Sequence, residues 1–229
     1  MIVARTLAEL RVARAKLTGS VGLVPTMGAL HEGHFTLVSE ARADIDAVIA
    51  TIFVNPAQFG PNEDFNAYPR TLEADLAGFE RGGVDIAFTP LIPEVYPLGF
   101  QTTVEVTGVS EGLEGEKRPG HFKGVATVVA KLFNMAQPHM AYFGQKDAQQ
   151  VVVIRRMVAD LNFPLDIAII PIVREPDGLA MSSRNRYLTP EQRAAAPVIY
   201  RALKAVGDAH AAGEHHLGAM RDIIRGVIA

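Results

Sequence analysis

The sequence predicts an α/β fold, in which a doubly wound parallel sheet is followed by a smaller, mostly helical C-terminal domain. Up to about Pro176, short apolar segments alternate with segments of helical period. Polar turns containing glycine or proline follow several apolar segments, which is typical of the ligand-binding edge of such a sheet. Beyond that point helix signals dominate, including a capping box at Thr189 and Gln192. We therefore predict two domains, at residues 1–176 and 177–229.

The first predicted element is a helix, and a capping box formed by Thr6 and Glu9 marks its start. A buried strand over Val21–Val24, a helix over about 33–42 and a strand over Ala47–Val54 then form a parallel unit with a right-handed crossover. The later segments continue as helix Leu72–Phe79, strands Val84–Phe88 and Thr102–Val106, helix Val125–Met135, strand Met140–Phe143, helix Val151–Leu161 and strand Leu165–Ile170.

The composition excludes several classes of function. The chain has 229 residues, of which 48% are hydrophobic and 21% charged, enough apolar material for a substantial core. Its formal net charge of −3 provides no basic field for nucleic acid, and the absence of cysteine excludes disulfides and thiolate chemistry. No apolar run reaches the roughly 18–20 residues of a membrane span, and charged side chains interrupt the N-terminal segment. We expect a soluble cytoplasmic protein.

Two histidines follow the strand over Val21–Val24. His31 and His34 are three residues apart, so a helix would place them on one face. Gly28 and Gly33 let a ligand approach the backbone, and a helix N-terminus there favours an anion. Capping or packing is the alternative for the pair alone. Zinc is disfavoured, because the spacing differs from the i, i+4 zinc helix and no further ligands are evident, whereas phosphate binding also accounts for the glycines.

A lysine and several amides follow later strands. Lys146 lies in the turn Gly144–Asp147 after an apolar strand and suits a phosphate contact, with a solvated loop lysine as the alternative. Gln150 lies one helical turn further on, where its amide can hydrogen-bond a substrate hydroxyl or carboxylate. Asn55 and Gln58 follow another buried strand and suit a small polar substrate.

Three further groups are weaker candidates. Ser182, Ser183 and Arg184 can grip an anion, and their place between the predicted domains would let the loop close over a triphosphate. Arg118 can meet a carboxylate, and Asp75 can hold Mg²⁺ beside phosphates. The alternative for each of them is an ordinary solvated surface residue.

Taken in order, these motifs resemble the pantothenate synthetase family. The resemblance is carried by the segments Pro25–His34, Phe53–Phe59, Arg118–Phe122, Phe143–Asp147 and Met181–Asn185. The His-x-Gly-His element alone would indicate only the nucleotidylyltransferase superfamily, but five motifs in the same order are far more specific. The match extends from near the start of the chain to about residue 205.

The resemblance implies an enzyme, with a sheet of the Rossmann-like type, that joins pantoate to β-alanine at the expense of ATP. Pantoate would be activated as pantoyl adenylate with release of pyrophosphate, and the β-alanine amine would then expel AMP. Mg²⁺ and a homodimer are also implied. Because no covalent intermediate on the enzyme is needed, positioning and charge stabilisation would supply most of the acceleration.

The family's functional residues carry over onto matching positions of this chain. His34 would donate a proton, Gln58 and Gln150 would hold pantoate, and Asp75 would lie in the metal region. The catalytic set would be His31, His34, Lys146 and Arg184. The ATP site would comprise Met27, Gly28, Ala29, Leu30, His31, Glu32, Gly33, His34, Gly144, Gln145, Lys146, Asp147, Val173, Met181, Ser182, Ser183 and Arg184.

Two features depart from the family pattern. Members usually continue beyond this length with more strand-forming sequence, so we expect the C-terminal lid domain to be truncated. Ala148 stands where an aromatic residue is expected after the Lys-Asp pair, which we expect to alter packing rather than chemistry.

Two other functions compete with the ligase. An adenylyltransferase acting on a phosphate-bearing acceptor would need an additional cationic cluster, where this sequence offers Gln58 and Gln150. A non-catalytic nucleotide-binding module would have lost His34, Lys146 or Arg184, and all three are present.

Overall fold

The computed structural model describes all 229 residues, which form two compact units at residues 1–171 and 172–229. The first unit is a six-stranded, all-parallel sheet with helices on both faces, which confirms the predicted α/β fold. The division falls after Pro171, whereas the predicted boundary follows Pro176. None of the helices has the length and apolar character needed to cross a bilayer.

The secondary structure alternates between strands and helices through the first unit. Its elements are β1 (Ile2–Ala4), α1 (Leu7–Arg14), β2 (Val21–Thr26), α2 (Glu32–Asp44), β3 (Ala47–Ile52), α3 (Leu72–Arg81), β4 (Ile86–Phe88), α4 (Ile92–Val95), α5 (Leu113–Lys117), α6 (His121–Ala136), β5 (Met140–Gly144), α7 (Ala148–Asp160) and β6 (Asp166–Ile170). Short 3₁₀ turns at Pro56–Gln58 and Gln145–Asp147 follow β3 and β5. The second unit contains a 3₁₀ turn at Ser183–Tyr187 and the helices α8 (Pro190–Ala195), α9 (Val198–Ala211) and α10 (Leu217–Ile228).

The strand order β1-β4-β3-β2-β5-β6 places a topological switch point between β2 and β5. From β2 the chain builds the sheet in one direction through β3 and β4, and then returns to the other side of β2 with β5. Ligands of doubly wound sheets bind at the carboxyl ends of such strands. The ladder between β2 and β5 pairs only Gly22 with Met140 and Leu23 with Ala141, so the two strands are unpaired beyond it. Pro25 has no N–H to donate, and it lies in the part of β2 that does not pair with β5.

Two apolar layers bury the faces of the sheet. One layer joins α1, α6 and α7 to the sheet and is centred on side chains such as Leu23, Ile49, Phe133 and Ile154. The other joins α2 and α3 to the opposite face around Val24, Val38, Phe79 and Tyr142. Helix α6 is buried along most of its length, which suits a helix that covers the sheet beside the switch point.

Three local predictions differ from the structure. Residues 102–106 form no strand, and Val104 donates its N–H to Thr127 Oγ1 of α6 at 2.9 Å instead of joining a ladder. The strand β1 was not predicted, because three residues are too few to show a period. Helix α6 begins at His121 rather than Val125, directly after Gly120 in the left-handed region with φ 82°.

Candidate active site

A cavity of about 160 Å³ opens where β2 and β5 diverge. Its lining combines apolar side chains of α6 and three aromatic side chains with imidazole, amide and thioether groups. The lining residues are Pro25, Thr26, Met27, His34, Phe53, Asn55, Gln58, Tyr68, Val125, Val128, Val129, Leu132, Phe143, Asp147 and Gln150. Five predicted site residues thus meet at one cavity: Met27, His34, Gln58, Asp147 and Gln150.

The two predicted histidines lie at the positive end of α2. His31 is the N-cap residue in extended conformation, and His34 lies in the first turn, with the ring centroids 4.1 Å apart. The N–H of His31 points at Nδ1 of His34 at 3.3 Å, which makes Nδ1 the acceptor and leaves the proton of a neutral ring on Nε2. His34 therefore offers an N–H donor beside the N–H groups at the start of a helix, an arrangement that attracts anions.

Burial lowers the pKa of His34 from 6.5 to about 3, and the positive charges of His31 and Lys146 act in the same direction. His34 is consequently neutral at physiological pH in the free protein. A neutral imidazole with its proton on Nε2 donates a hydrogen bond to a phosphate oxygen without first taking up a proton.

Asp75 holds the loop between β2 and α2 in place. Its carboxylate accepts the N–H groups of Ala29 and Leu30, each at 2.9 Å, and the hydroxyl of Thr71 at 3.1 Å. The side chain is 3% exposed, and Gly28 and Ala29 both have positive φ, 81° and 49°. Because the oxygens of Asp75 are occupied by protein donors, the structure gives it an anchoring role that differs from the predicted metal contact. No group of three His, Cys, Asp or Glu side chains is arranged to hold a metal ion.

The turn after β5 carries exposed charges. The ammonium group of Lys146 lies 3.2 Å from Asp147 Oδ1, and the two side chains are 39% and 51% exposed. Lys146 is nevertheless close enough to act on the pKa of His34. The turns after β2 and β5 therefore meet at the switch point, as the sequence predicts for their strand ends.

Gln58 is held by a chain of hydrogen bonds behind the cavity. Its Oε1 accepts from Asn55 Nδ2 at 3.1 Å, and its Nε2 lies 3.0 Å from the sulfur of Met27. Asn55 is 1% exposed, and its Oδ1 accepts the hydroxyl of Tyr96 at 2.8 Å. Burial raises the pKa of Tyr96 to about 12, so this hydroxyl keeps its proton. Gly124 is required here, since a Cβ would lie 2.0 Å from the carbonyl oxygen of Ala57.

Arg118 does not reach the cavity in the predicted manner. Its guanidinium bonds both oxygens of Glu63 at 2.8 and 2.6 Å and Glu114 at 2.8 Å, and also meets His121 at 3.0 Å and the Gln58 carbonyl at 3.4 Å. An arginine has five N–H donors, and these contacts use all of them. These contacts place Arg118 behind Gln58, and its contact with a substrate carboxylate stays a prediction.

The predicted site residues beyond β6 belong to the second unit. The N–H of Met181 donates to the carbonyl of Val173 at 3.0 Å, so this pair lies together. Ser182 caps the following 3₁₀ turn by accepting the N–H of Arg184 at 3.3 Å, and Ser183 is buried. These residues form one local cluster within their unit, and their contribution to an ATP site stays a prediction.

Two residues that support Gln58 were not predicted from the sequence: Tyr96, which acts through Asn55, and His121, which contacts the Gln58 carbonyl. Tyr96 lies at the end of α4, far from any motif, and no local pattern marks it. His121 belongs to the motif Arg118–Phe122, so its presence there was a usable signal, but its role depends on a contact with Gln58 that only the fold reveals.

Comparisons with known proteins agree on one family. Residues 2–227 match the family described as Pantoate-beta-alanine ligase. A pantothenate synthetase of Roseiflexus sp. (strain RS-1) is 61% identical over 228 residues, covering all of this chain and 82% of that protein. The pantothenate synthetase of Moorella thermoacetica is 57% identical over 220 residues, 95% of this chain and 78% of that protein.

Solved structures show the same relationship. Pantothenate synthetase from Thermus thermophilus superposes with a TM-score of 0.95 at 51% identity, covering 100% of this chain and 82% of that one. Pantoate-beta-alanine ligase from Francisella tularensis, solved in complex with beta-gamma ATP and beta-alanine, has a TM-score of 0.86 at 37% identity over 99% of this chain and 86% of that one. With a matching family over nearly the whole chain and relatives close to 60% identical, the chain belongs to the pantoate–β-alanine ligase family of pantothenate synthetases.

Proposed function

We propose that this enzyme condenses pantoate with β-alanine through an enzyme-bound pantoyl adenylate, releasing pyrophosphate in the first half-reaction and AMP in the second. The observation that carries the proposal is the cavity at the switch point. It joins an apolar wall and two glutamine amides to an anion-binding helix end.

The acid fits the cavity by its chemistry. Pantoate carries two methyl groups on a quaternary carbon, next to hydroxyls and a carboxylate. Val125, Val128 and Leu132 of α6 provide an apolar surface for the methyl groups, and Gln58 and Gln150 face the same cavity with amides that bind oxygen atoms. An acceptor carrying a phosphate would need cations where these amides lie, which disfavours the competing adenylyltransferase.

The nucleotide phosphates lie, in this proposal, at the mouth of the cavity beside α2. The Nε2–H of His34 and the N-terminus of α2 stabilise negative charge there, and Lys146 brings a cation from the turn after β5. The ATP complex of the Francisella tularensis relative, at 37% identity, supports ATP as the nucleotide. A role in ATP binding for Val173, Met181, Ser182, Ser183 and Arg184 is a further prediction, which the family resemblance supports.

The chemistry needs no covalent bond to the protein. A carboxylate oxygen of pantoate attacks the α-phosphorus of ATP, and the bond to the bridging oxygen of pyrophosphate breaks. His34 and Lys146 stabilise the charge that builds on the phosphates. The neutral amine of β-alanine then attacks the acyl carbon, the bond from that carbon to the AMP oxygen breaks, and the amine loses its proton as the amide forms.

Mg²⁺, the homodimer and the cytoplasmic location stay predictions. Mg²⁺ has no site of its own at Asp75, whose oxygens are occupied, so no step is assigned to it. The homodimer stays a prediction that light scattering on the purified protein checks. The cytoplasmic location likewise stays a prediction.

Isotope exchange tests the first half-reaction. With ATP, Mg²⁺ and labelled pyrophosphate, we expect label to enter ATP only when pantoate is present, and without any need for β-alanine. AMP should accumulate only when β-alanine is added. Absence of pantoate-dependent exchange in protein shown to be folded by circular dichroism would contradict the proposal.

A further inference from the structure

His121 is a buried histidine that the chemistry described above does not use. It is the first residue of α6, is 7% exposed and does not line the cavity. Its Nδ1 lies 2.8 Å from the carbonyl oxygen of Gln58, and its Nε2 lies 3.0 Å from Nη1 of Arg118.

These two contacts define the state of the ring. The carbonyl oxygen of Gln58 can only accept, so Nδ1 carries the proton. The guanidinium of Arg118 can only donate, so Nε2 is the bare acceptor. His121 is therefore a neutral imidazole whose single N–H points at the backbone of Gln58. Burial, with the nearby charge of Arg118, lowers the pKa of His121 and favours the same neutral form.

Arg118 in turn fixes the ring. It lies between the carboxylates of Glu63 and Glu114, which bind it at 2.6 and 2.8 Å. Glu114 Oε1 is also 3.7 Å from Nε2 of His121. With both carboxylates held by the guanidinium, the ring is set in one orientation, and its N–H is directed at Gln58.

The side chain of Gln58 is fixed from the other direction. Asn55 Oδ1 accepts the N–H of Ala57 and Asn55 Nδ2 donates to the carbonyl of Gly124, each at 3.2 Å, so backbone groups set which way this amide faces. Asn55 then donates to Gln58 Oε1, which turns Gln58 Nε2 toward Met27 and the cavity. Gln58 is held at its carbonyl and at its amide oxygen, and its N–H₂ group, which contacts the sulfur of Met27, faces the cavity.

We propose that His121 is a positioning residue that sets the affinity for the acid substrate by holding the backbone of Gln58. This inference rests on the proposed function, in which Gln58 binds pantoate. His121 touches no substrate, and its effect passes through Gln58. Its loss moves the amide N–H away from the acid oxygen while leaving the nucleotide contacts of His34 and Lys146 in place.

Calorimetric titration of pantoate and of ATP into the full chain tests the proposal. In His121→Phe we expect the Kd for pantoate to rise about tenfold, the loss of roughly one hydrogen bond, with the Kd for ATP changed less than about twofold. His121→Asn, which keeps an N–H near the position of Nδ1, should recover most of the affinity. In a Gln58→Ala background, His121→Phe should cause no additional loss, because the two residues act in series.

The outcomes separate the two proposals. If the wild-type protein binds ATP but not pantoate, the proposed function is wrong, and this inference falls with it. If pantoate binds equally well to wild type and His121→Phe, or if the losses of His121→Phe and Gln58→Ala add fully, only the positioning role is wrong. A similar rise in the Kd values for pantoate and ATP in both His121 variants, with lower melting temperatures, would show a merely structural role and would also overturn it.

Discussion

The two turns that meet at the switch point are built differently. The segment Met27–His34 after β2 is tied down by the buried carboxylate of Asp75 and by the start of α2. The turn Gly144–Asp147 after β5 carries an exposed lysine that forms an ion pair with the aspartate next to it. The turn after β2 is therefore fixed by the fold itself, whereas the turn after β5 carries its positive charge on an exposed side chain.

This difference separates two ways of stabilising phosphate charge. Donors fixed by folding act on the transition state without reorganising, so their loss should lower kcat. A solvated lysine must be ordered when the nucleotide binds, so its loss should raise the KM for ATP as well and should depend on ionic strength. Substitutions in and around the two turns test this distinction.

Replacement of His34 should have the largest effect. In His34→Ala we expect the rate of pyrophosphate exchange to fall about 10²–10³-fold, since one preorganised donor to the reacting phosphates is lost. His34→Gln keeps an N–H near the position of Nε2 and should lose only about tenfold. Exchange at the wild-type rate in His34→Ala would remove His34 from the mechanism.

Replacement of Lys146 should change nucleotide binding. In Lys146→Met we expect kcat/KM for ATP to fall about 10–10²-fold, with the loss shrinking at high salt because the wild-type contact is itself screened. Steady-state kinetics at two ionic strengths measure this. Lys123→Met, which removes an exposed lysine of α6 paired with Glu105, serves as the control and should behave as wild type. A change in the KM for pantoate alone would contradict the proposed contact between Lys146 and the nucleotide.

Replacement of Asp75 should loosen the turn after β2. Asp75→Asn leaves at least one backbone N–H of Ala29 or Leu30 without an acceptor, and we expect the free energy of unfolding to fall by about 1–3 kcal/mol. Urea denaturation measures the change, with the exposed Glu73→Gln on the same helix as control. Stabilisation of wild type, but not of Asp75→Asn, by Mg²⁺ without nucleotide would instead restore the metal role.

The depressed pKa of His34 should make stability depend on pH. Because the folded pKa is about 3 and the unfolded value is 6.5, the unfolded chain binds a proton that the folded protein does not, as pH falls below about 6.5. At about pH 5 this contribution destabilises the protein by up to about 2 kcal/mol, and it is absent at about pH 8. We expect His34→Gln to be more stable relative to wild type at the lower pH than at the higher one. An equal difference at both pH values would show that His34 titrates normally.

The sequence predicted those features that local patterns determine. The capping boxes at Thr6 and Thr189 are present, and α2 begins beside His31 as its glycines and histidines indicated. Residues 102–106 have strand-forming composition, but whether a partner strand lies beside them depends on the rest of the fold. Their neighbour is Thr127 of α6, and no strand forms.

Two predicted site residues have protein partners that the sequence did not reveal. Asp75 and Arg118 have the chemistry of ligand contacts, but their actual partners lie far away in sequence. Asp75 accepts from Ala29, 46 residues earlier, and Arg118 binds Glu63, 55 residues earlier. A single sequence shows that a charged side chain is present. It does not show whether other groups of the protein already form hydrogen bonds or ion pairs with that side chain. The predicted residues that line the cavity each come shortly after a strand, whereas the residues that hold them in place carry no such local signal.

Transfer of an oxygen label tests the central claim, that this site activates a carboxylate at the α-phosphorus of ATP. Pantoate labelled with oxygen-18 in its carboxylate is incubated with the enzyme, ATP, Mg²⁺ and β-alanine, and the nucleotide products are analysed by mass spectrometry. We expect each AMP to carry one labelled oxygen, because the attacking carboxylate oxygen leaves with AMP when the amide forms. Label in inorganic phosphate together with ADP, or AMP free of label, would contradict it.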